Sequence, residues 1–511
     1  GLFYPSVFLA CQFDPLVEFL GVADKTAPPD ASTVLERIRA KIAPHLQELC
    51  ARYPTTGVED EAWYWAAPIM LDLKHDLQGV KSWWQQPDLA SIWSGSSDED
   101  ADETDEDENE NTAWTEHVAM ARSLVENQLP LDHKLGRPPA DLSRVLALLA
   151  MGGPAISALR SLKRTGCVAP NQESQDVDFA LRNGAGRVAW AFGRLFNLPE
   201  AMMILRGLNR AEPYWLRALE YCTDGCLQAV LDEYQHVLRE SLGLLDKPAT
   251  DTIGAIAEAT VEAISLRTAS LSPDYIRTGS NGVLANRDGP GMRIHFAVRF
   301  GDEKSDEEKS LVRSGQVRTA FNSPFWPFVL ATTSVGQEGL DFHTYCHAVV
   351  HWNLPSNPVD LEQREGRVHR YKGHAVRKNL AARHGQTGIS SSANDHWEQM
   401  FLDALSKRPA GATHLTPFWI YPGDAKIERH VPALPLSRDQ NRLEVLRKSL
   451  AVYRMVFGQI RQDDLIAFLL ARFPESDIAS IAKELRIDLS PPKPASTAQV
   501  REKHDDGLPS V

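Results

Sequence analysis

The sequence predicts an α/β lobe, a parallel sheet between helices, with a large all-α region before it and a helical extension after it. Three observations predict this. First, two apolar runs, Phe328 to Ala331 and Ala348 to His351, are separated by the small and polar stretch Thr332 to Gly339, and a basic segment of helical pattern follows the second. Strand, glycine-bearing loop, strand and helix in that order are the parts of a βαβ-type sheet. Second, apolar residues recur at three- and four-residue spacing through residues 113 to 265, as in Leu142 to Leu149, Val188 to Phe196 and Trp215 to Leu245, the pattern of amphipathic helices. Third, Leu443, Leu446, Leu450, Tyr453 and Phe457 stripe one further helix and Leu465 to Phe473 another, placed to brace the lobe.

Taken in order, the chain divides into six stretches. Residues 1–93 form a mostly helical region, with a short strand at Tyr4 to Ala10 and helices at Val34 to Leu49 and Ala62 to Leu77. Its tryptophans at 63, 65, 83, 84 and 93 have no interleaved Lys or Arg, so they fill a core rather than stack bases. Residues 94–112 are an acidic, disordered linker, and 113–263 a helical domain or insertion. The α/β lobe occupies 264–385, with strand-like runs at Ile264 to Thr268 and Arg293 to Phe300 around the loop Gly279 to Gly291, then a short helix at Val312 to Asn322. A helical accessory region, 386–490, holds a Gly/Ser loop from Gly385 to Ser392 and one more strand at Phe418 to Tyr421. Residues 491–511 are a disordered tail.

The formal net charge of −14 argues against a nucleic-acid partner only at first sight. The run Asp98 to Glu110 holds ten carboxylates, so the rest of the chain carries about −14 + 10 = −4. Nucleic-acid binding needs only a local basic surface. No run of about 18 apolar residues predicts a membrane span. The chain begins Gly1-Leu2-Phe3, without Met or a basic leader, which reads as an excised or incomplete chain rather than a secreted one. Cysteines are scattered at 11, 50, 167, 222, 226 and 346. Cys222 and Cys226 are expected as neighbours on one helix, and a reducing, cytoplasmic setting fits their use.

The basic segment carries the sharpest chemistry. Asn357 can cap a helix and Pro358 suits its first turn. Gln363, Arg367 and Arg370 then fall at i, i+4 and i+7, on one helical face. Gly366 removes a side chain beside them, so that a backbone or a nucleotide can come close. Guanidinium forks bind phosphate oxygens bidentately and never lose their charge.

The whole stretch resembles the second half of a superfamily-two helicase core. Thr332-Thr333-Ser334-Val335-Gly336-Gln337-Glu338-Gly339-Leu340-Asp341-Phe342 looks like that family's motif V, and Gln363-Arg364-Glu365-Gly366-Arg367-Val368-His369-Arg370 looks like motif VI. Trp352 to Pro358, followed by Leu361-Glu362-Gln363-Arg364, is similar to the Swi/Snf-type translocases, and to their bacterial RNA-polymerase-associated branch in particular. The resemblance covers roughly residues 290 to 380. It implies a RecA-like helicase C-terminal lobe that binds ATP with Mg2+, the metal held mainly by the other lobe. It also implies arginine fingers at Arg367 and Arg370, nucleotide contacts from Gly339, Asp341, Gln363 and Arg364, and nucleic-acid backbone contacts from Thr333 and Gln337.

Two features limit the resemblance. Val7 to Leu20 can be laid against motif IV, a buried strand feeding a helix, but lacks that motif's Phe-Ser end. Asp232-Glu233-Tyr234-Gln235-His236 has the form of a Walker B box, yet lies in a helical pattern and is read as a helix surface. No phosphate-binding loop G-x-x-x-x-G-K-[ST] occurs in the 511 residues. The expectation is therefore the C-terminal half of an ATP-dependent DNA helicase or translocase. It would be inactive alone and partnered by double-stranded DNA and by an N-terminal lobe, from the full-length protein or an upstream polypeptide, with no membrane involved. The alternative is a non-catalytic nucleic-acid- or partner-binding subunit built on a helicase lobe.

Overall fold

The computed structural model describes residues 1–21, 29–53, 55–87, 89–93, 105–127, 135–166, 174–208, 213–265, 315–331, 344–390, 395–409, 414–432, 437–455 and 462–474, with short strands between 269 and 294 and a few single positions. The chain divides into two compact units, residues 1–335 with 384–403, and 336–383 with 404–511.

The first unit is built mainly from helices. Its N-terminal apolar run, expected as a strand, is instead the helix Val7–Gln12, followed by Pro15–Leu20. Polar groups decide this. Ser6 caps the helix by accepting from the Leu9 N–H at 3.2 Å. The buried Asp72, on helix Trp63–His75, accepts from the N–H groups of Val7 and Phe8 at 3.1 and 2.8 Å and from the hydroxyls of Tyr4 and Ser6 at 2.8 Å each. A carboxylate there satisfies first-turn donors that have no partner within the helix. The likeness of Val7 to Leu20 to motif IV fails, because no strand is present.

The helices foreseen around 34–49 and 62–77 are Ala31–Arg52 and Trp63–His75. Trp63 and Trp83 have no exposed surface and Trp84 and Trp93 almost none. Trp83 meets Trp84 and Trp93 edge to face, with centroids 5.4 and 6.0 Å apart. These rings are core, as the lack of interleaved cations implied. Helix Asp105–Asn127 starts inside the acidic run, so residues 105–110 are helical where disorder was expected. Carboxylates are favoured in the first turns of a helix.

Helices Leu142–Gly152 and Pro154–Thr165 meet at Gly153. Together they are apolar enough to span a membrane, with mean hydropathy 1.6, but 83% of that window is buried within the protein. A Cβ on Gly152 would lie 2.8 Å from the Thr223 backbone, so this crossing demands glycine. Cys222 and Cys226 do not share a helix. Cys222 lies in Tyr214–Asp224, whereas Cys226, at φ 51°, precedes Leu227–Ser241. After Ala249–Ile264 come two antiparallel pairs, Ala269–Leu271 with Met292–Ile294, and Tyr275–Gly279 with Gly282–Asn286. Residues 266–268 and 295–300, part of the strand-like runs, lie outside the described residues. The short helix occupies 315–321. Phe328 to Ala331 forms no ladder, and Phe328 and Val329 are exposed.

The second unit contains the parallel pairing, Ala348–Val350 with Glu428–His430, in register Ala348 to Glu428. The partner strand lies beyond the boundary foreseen for the lobe. Its sequence, Glu-Arg-His, carries no apolar alternation, because two of its three residues are exposed. Helix Pro358–Gly366 packs through Leu361 on Leu446 and Leu450 of helix Asp439–Met455, with Leu354 completing the core. The striped helix therefore braces this segment. Residues 414–419 are turns rather than a strand, closed by the Trp419 N–H on the Leu415 carbonyl at 2.7 Å. Gly385 to Ser390, expected as loop, continues helix His374–Ser390. In the first unit Gly388 admits Met400, whose Cγ would lie 2.3 Å from a Cβ there.

Candidate functional site

The segment Asn357 to Gly373 of the second unit holds the arginines singled out by the sequence. Asn357 caps helix Pro358–Gly366, its side-chain oxygen accepting from the Asp360 N–H at 2.8 Å, and Pro358 takes the first turn. Leu361 is fully buried, and Gln363 stands exposed two residues on. Arg364 donates to the Asn353 carbonyl at 2.9 Å, which ties the helix to the loop before it.

The helix is shorter than expected. It ends at Gly366, Arg367 is its C-cap, and the Glu365 carbonyl accepts from the N–H groups of both Val368 and His369 at 3.0 and 3.3 Å. Arg370 therefore does not continue the face shared by Gln363 and Arg367; a turn presents it. Glycine is a poor helix residue, and the following backbone is claimed elsewhere. Lys372, at φ 47°, gives its N–H to the Phe418 carbonyl at 2.7 Å, and its own carbonyl accepts from the buried Arg377 at 2.6 Å. A Cβ on Gly366 would meet nothing within 4 Å among the described residues, so their packing does not require glycine there. Arg370, half-buried, makes no ion pair or side-chain hydrogen bond among the described residues. Thr333, Gln337, Gly339 and Asp341 lie outside the described residues.

Glu365 is the residue that sequence reasoning missed. It receives both nitrogens of an Arg429 fork and, at 3.1 Å, Nε2 of the buried His351. His351 follows strand Ala348–Val350 and Arg429 lies within Glu428–His430, so one carboxylate pins the helix to both strands. Burial pushes this carboxyl up, but the hydrogen bonds from His351 and Arg429 outweigh it and hold Glu365 at about 2. The only sequence signal was a lone acid between arginines.

A pH dependence follows. The folded value lies below the ordinary 4.5, so the pair's stabilisation is fully present above that value and is lost as pH falls toward 2. The Glu365 side chain is 20% exposed, and solvent screening reduces the contribution to about 1–2 kcal/mol. Thermal melts of the protein and of Glu365→Gln should differ at pH 6, and the gap should narrow by pH 3. A gap of equal size at both pH values would refute the anchor.

The Walker B-like pentapeptide lies in helix Leu227–Ser241, as its pattern implied, but on a buried face rather than the expected helix surface: Asp232, Tyr234, Gln235 and His236 are all buried. Asp232 pairs with Arg164 and accepts from Gln228 at 3.0 Å, and His236 pairs with Asp395 at 2.7 Å. Asp395 also accepts from the N–H groups of Trp397 and Glu398 at 3.0 and 3.1 Å. These acids join helices of the first unit and hold no phosphate chemistry. Among the described residues, no group of three or more His, Cys, Asp or Glu could hold a metal ion.

Comparison with curated proteins and with solved structures finds no match. A family model described as the helicase conserved C-terminal domain matches residues 301–372, a span that contains both motif-like stretches. The chain thus carries a helicase-type C-terminal domain, and the capped, carboxylate-anchored arginine segment lies within it.

Proposed function

We propose that this chain supplies the second, RecA-like lobe of an ATP-dependent, Swi/Snf-like helicase or translocase that acts on double-stranded DNA in the cytoplasm. The first lobe, with its phosphate-binding loop, would come from a preceding segment or a separate polypeptide. The observation that carries the reading is the anchored segment Gln363 to Arg370 inside the matched helicase domain.

The residues present fit a polyphosphate. Gly366 leaves space that the described residues do not fill, Arg370 has no carboxylate partner among them, and no Asp or Glu occurs between Glu365 and Asp395. Bound ATP would supply the terminal phosphoryl group that is transferred to water, with ADP as the leaving group. Arg367 and Arg370 would neutralise charge on its phosphates, the role of arginine fingers. Gln363 would hydrogen-bond the nucleotide, and Arg364 would assist from its tether on Asn353. Gly339 and Asp341 would line the ribose and phosphate side, and Thr333 and Gln337 would follow the nucleic-acid backbone, contacts that position without reading sequence. Magnesium is assigned to the first lobe.

The test is ATP turnover with and without duplex DNA, for this chain alone and mixed with the polypeptide encoded just upstream. Silence alone and DNA-stimulated activity in the mixture is the expected result. Turnover by this chain alone would reveal a phosphate site elsewhere in it. Silence in both would favour a non-catalytic subunit built on a helicase lobe.

A further inference from the structure

We propose that Tyr371 and Trp419 form a stacking platform for the unpaired bases of single-stranded nucleic acid. The proposal rests on the reading above that the neighbouring arginines work on a nucleic-acid motor, and it adds a contact to bases that phosphate-tracking does not require.

The two rings are exposed, Tyr371 at 46% and Trp419 at 37%, unlike the buried tryptophans of the first unit. They are also fixed. Tyr371 stacks on Phe418 with centroids 5.7 Å apart and planes at 19°, and Trp419 meets Tyr371 edge to face at 6.0 Å. The backbones beneath are joined by the Lys372 N–H on the Phe418 carbonyl at 2.7 Å, and the Trp419 N–H closes its own turn on Leu415. The Lys372 ammonium lies 5.7 Å from the Tyr371 centroid and 5.8 Å from that of Phe418, a cation–π arrangement that holds the cluster together. Exposed aromatic faces on a rigid frame offer contact area at little entropic cost on binding.

Charge selects the occupant. The chain as a whole is at −14, yet the stretch from Gly366 to Asn394 contains no carboxylate. Arg370 precedes the platform, and Lys378 and Arg383 are exposed beyond it. Trp419 comes from a second segment, which carries Lys426 with Asp424 and Glu428; exposed aromatic rings next to a cation-rich, acid-free stretch are the composition of a single-strand binding surface, where bases stack and phosphates meet positive charge. An apolar protein partner would account for the rings but not for the cations of the stretch from Gly366 to Asn394.

The test is fluorescence anisotropy on the full chain with labelled oligothymidine, an abasic strand of equal length and a blunt duplex. The single strand should bind more tightly than the abasic strand. Tyr371→Ala and Trp419→Ala should each weaken binding of the base-bearing strand roughly tenfold, the scale of one lost stacking contact. Neither should change binding of the duplex or the abasic strand, and Tyr371→Phe and Trp419→Phe should restore stacking in folded protein. Three results would overturn the proposal: equal binding of abasic and base-bearing strands, no loss in either alanine variant, or a loss confined to free nucleotide measured with a fluorescent ADP analogue. Failure to bind any oligonucleotide would also overturn it, yet would leave DNA-stimulated turnover of the mixed polypeptides as the separate test of the motor.

Discussion

Replacing Arg367 with alanine should lower nucleic-acid-stimulated ATP turnover of the assembled protein by roughly 10³-fold or more, the scale of a lost arginine finger. The fold should survive. Arg367 caps the helix through backbone geometry, and the helix is held by Leu361 below, Asn357 at its start and Glu365 near its end. Arg367→Lys should be nearly as damaging, because a point charge cannot reproduce the planar fork. Arg370→Ala should also cut turnover, although its side chain comes from a turn rather than from the face shared by Gln363 and Arg367. The measurement is steady-state ATP hydrolysis at saturating duplex DNA, with circular dichroism to verify folding. Unchanged turnover in Arg367→Ala would remove the residue from the catalytic machinery and with it the main support for the proposed function.

Leu361→Ala should destabilise the second unit by about 2–4 kcal/mol, the range for truncating a buried leucine and leaving a cavity. Leu361 has no exposed surface, and its partners Leu446 and Leu450 belong to a helix far along the chain. Loss of this contact frees the helix that carries Gln363, Arg364 and Arg367, so turnover in the assembled protein should fall with stability. Leu361→Met, which conserves volume, should cost less than about 1.5 kcal/mol and keep activity. Denaturant unfolding of the variants measures both. An Ala variant as stable as the parent would show that the striped helix does not brace the arginine segment.

The local framework of the arginine segment was legible in the sequence. Asn357, Pro358, Gln363, Gly366, Arg367 and Arg370 lie within fourteen consecutive residues, so their spacing can be read from a single window of sequence. Capping is equally local, and the cap at Asn357 stands where the sequence put it. The helix stripes of residues 142–149, 188–196 and 443–453 were legible for a related reason: a helix that buries one face repeats its apolar residues at its own period.

Tertiary structure decided the rest. Tyr4 to Ala10 reads as a strand by its apolar run, yet Asp72 and Arg160, distant in sequence, satisfy the backbone groups of a helix there; Arg160 donates to the Ala10 and Phe13 carbonyls at 2.7 and 3.1 Å. The strand Glu428–His430 has no pattern of its own and exists through pairing with Ala348–Val350. Arg370 leaves the helix because the distant Phe418 carbonyl, with the nearby Arg377 guanidinium, holds the backbone of Lys372. Glu365 carried no motif, and its role depends on His351 and Arg429 arriving from two separate strands. The sequence by itself determined the cap at Asn357 and the cluster of basic residues that this segment carries, because both are local. Only the folded chain decided where the helix stops and what holds it, because those contacts join residues that no sequence window contains.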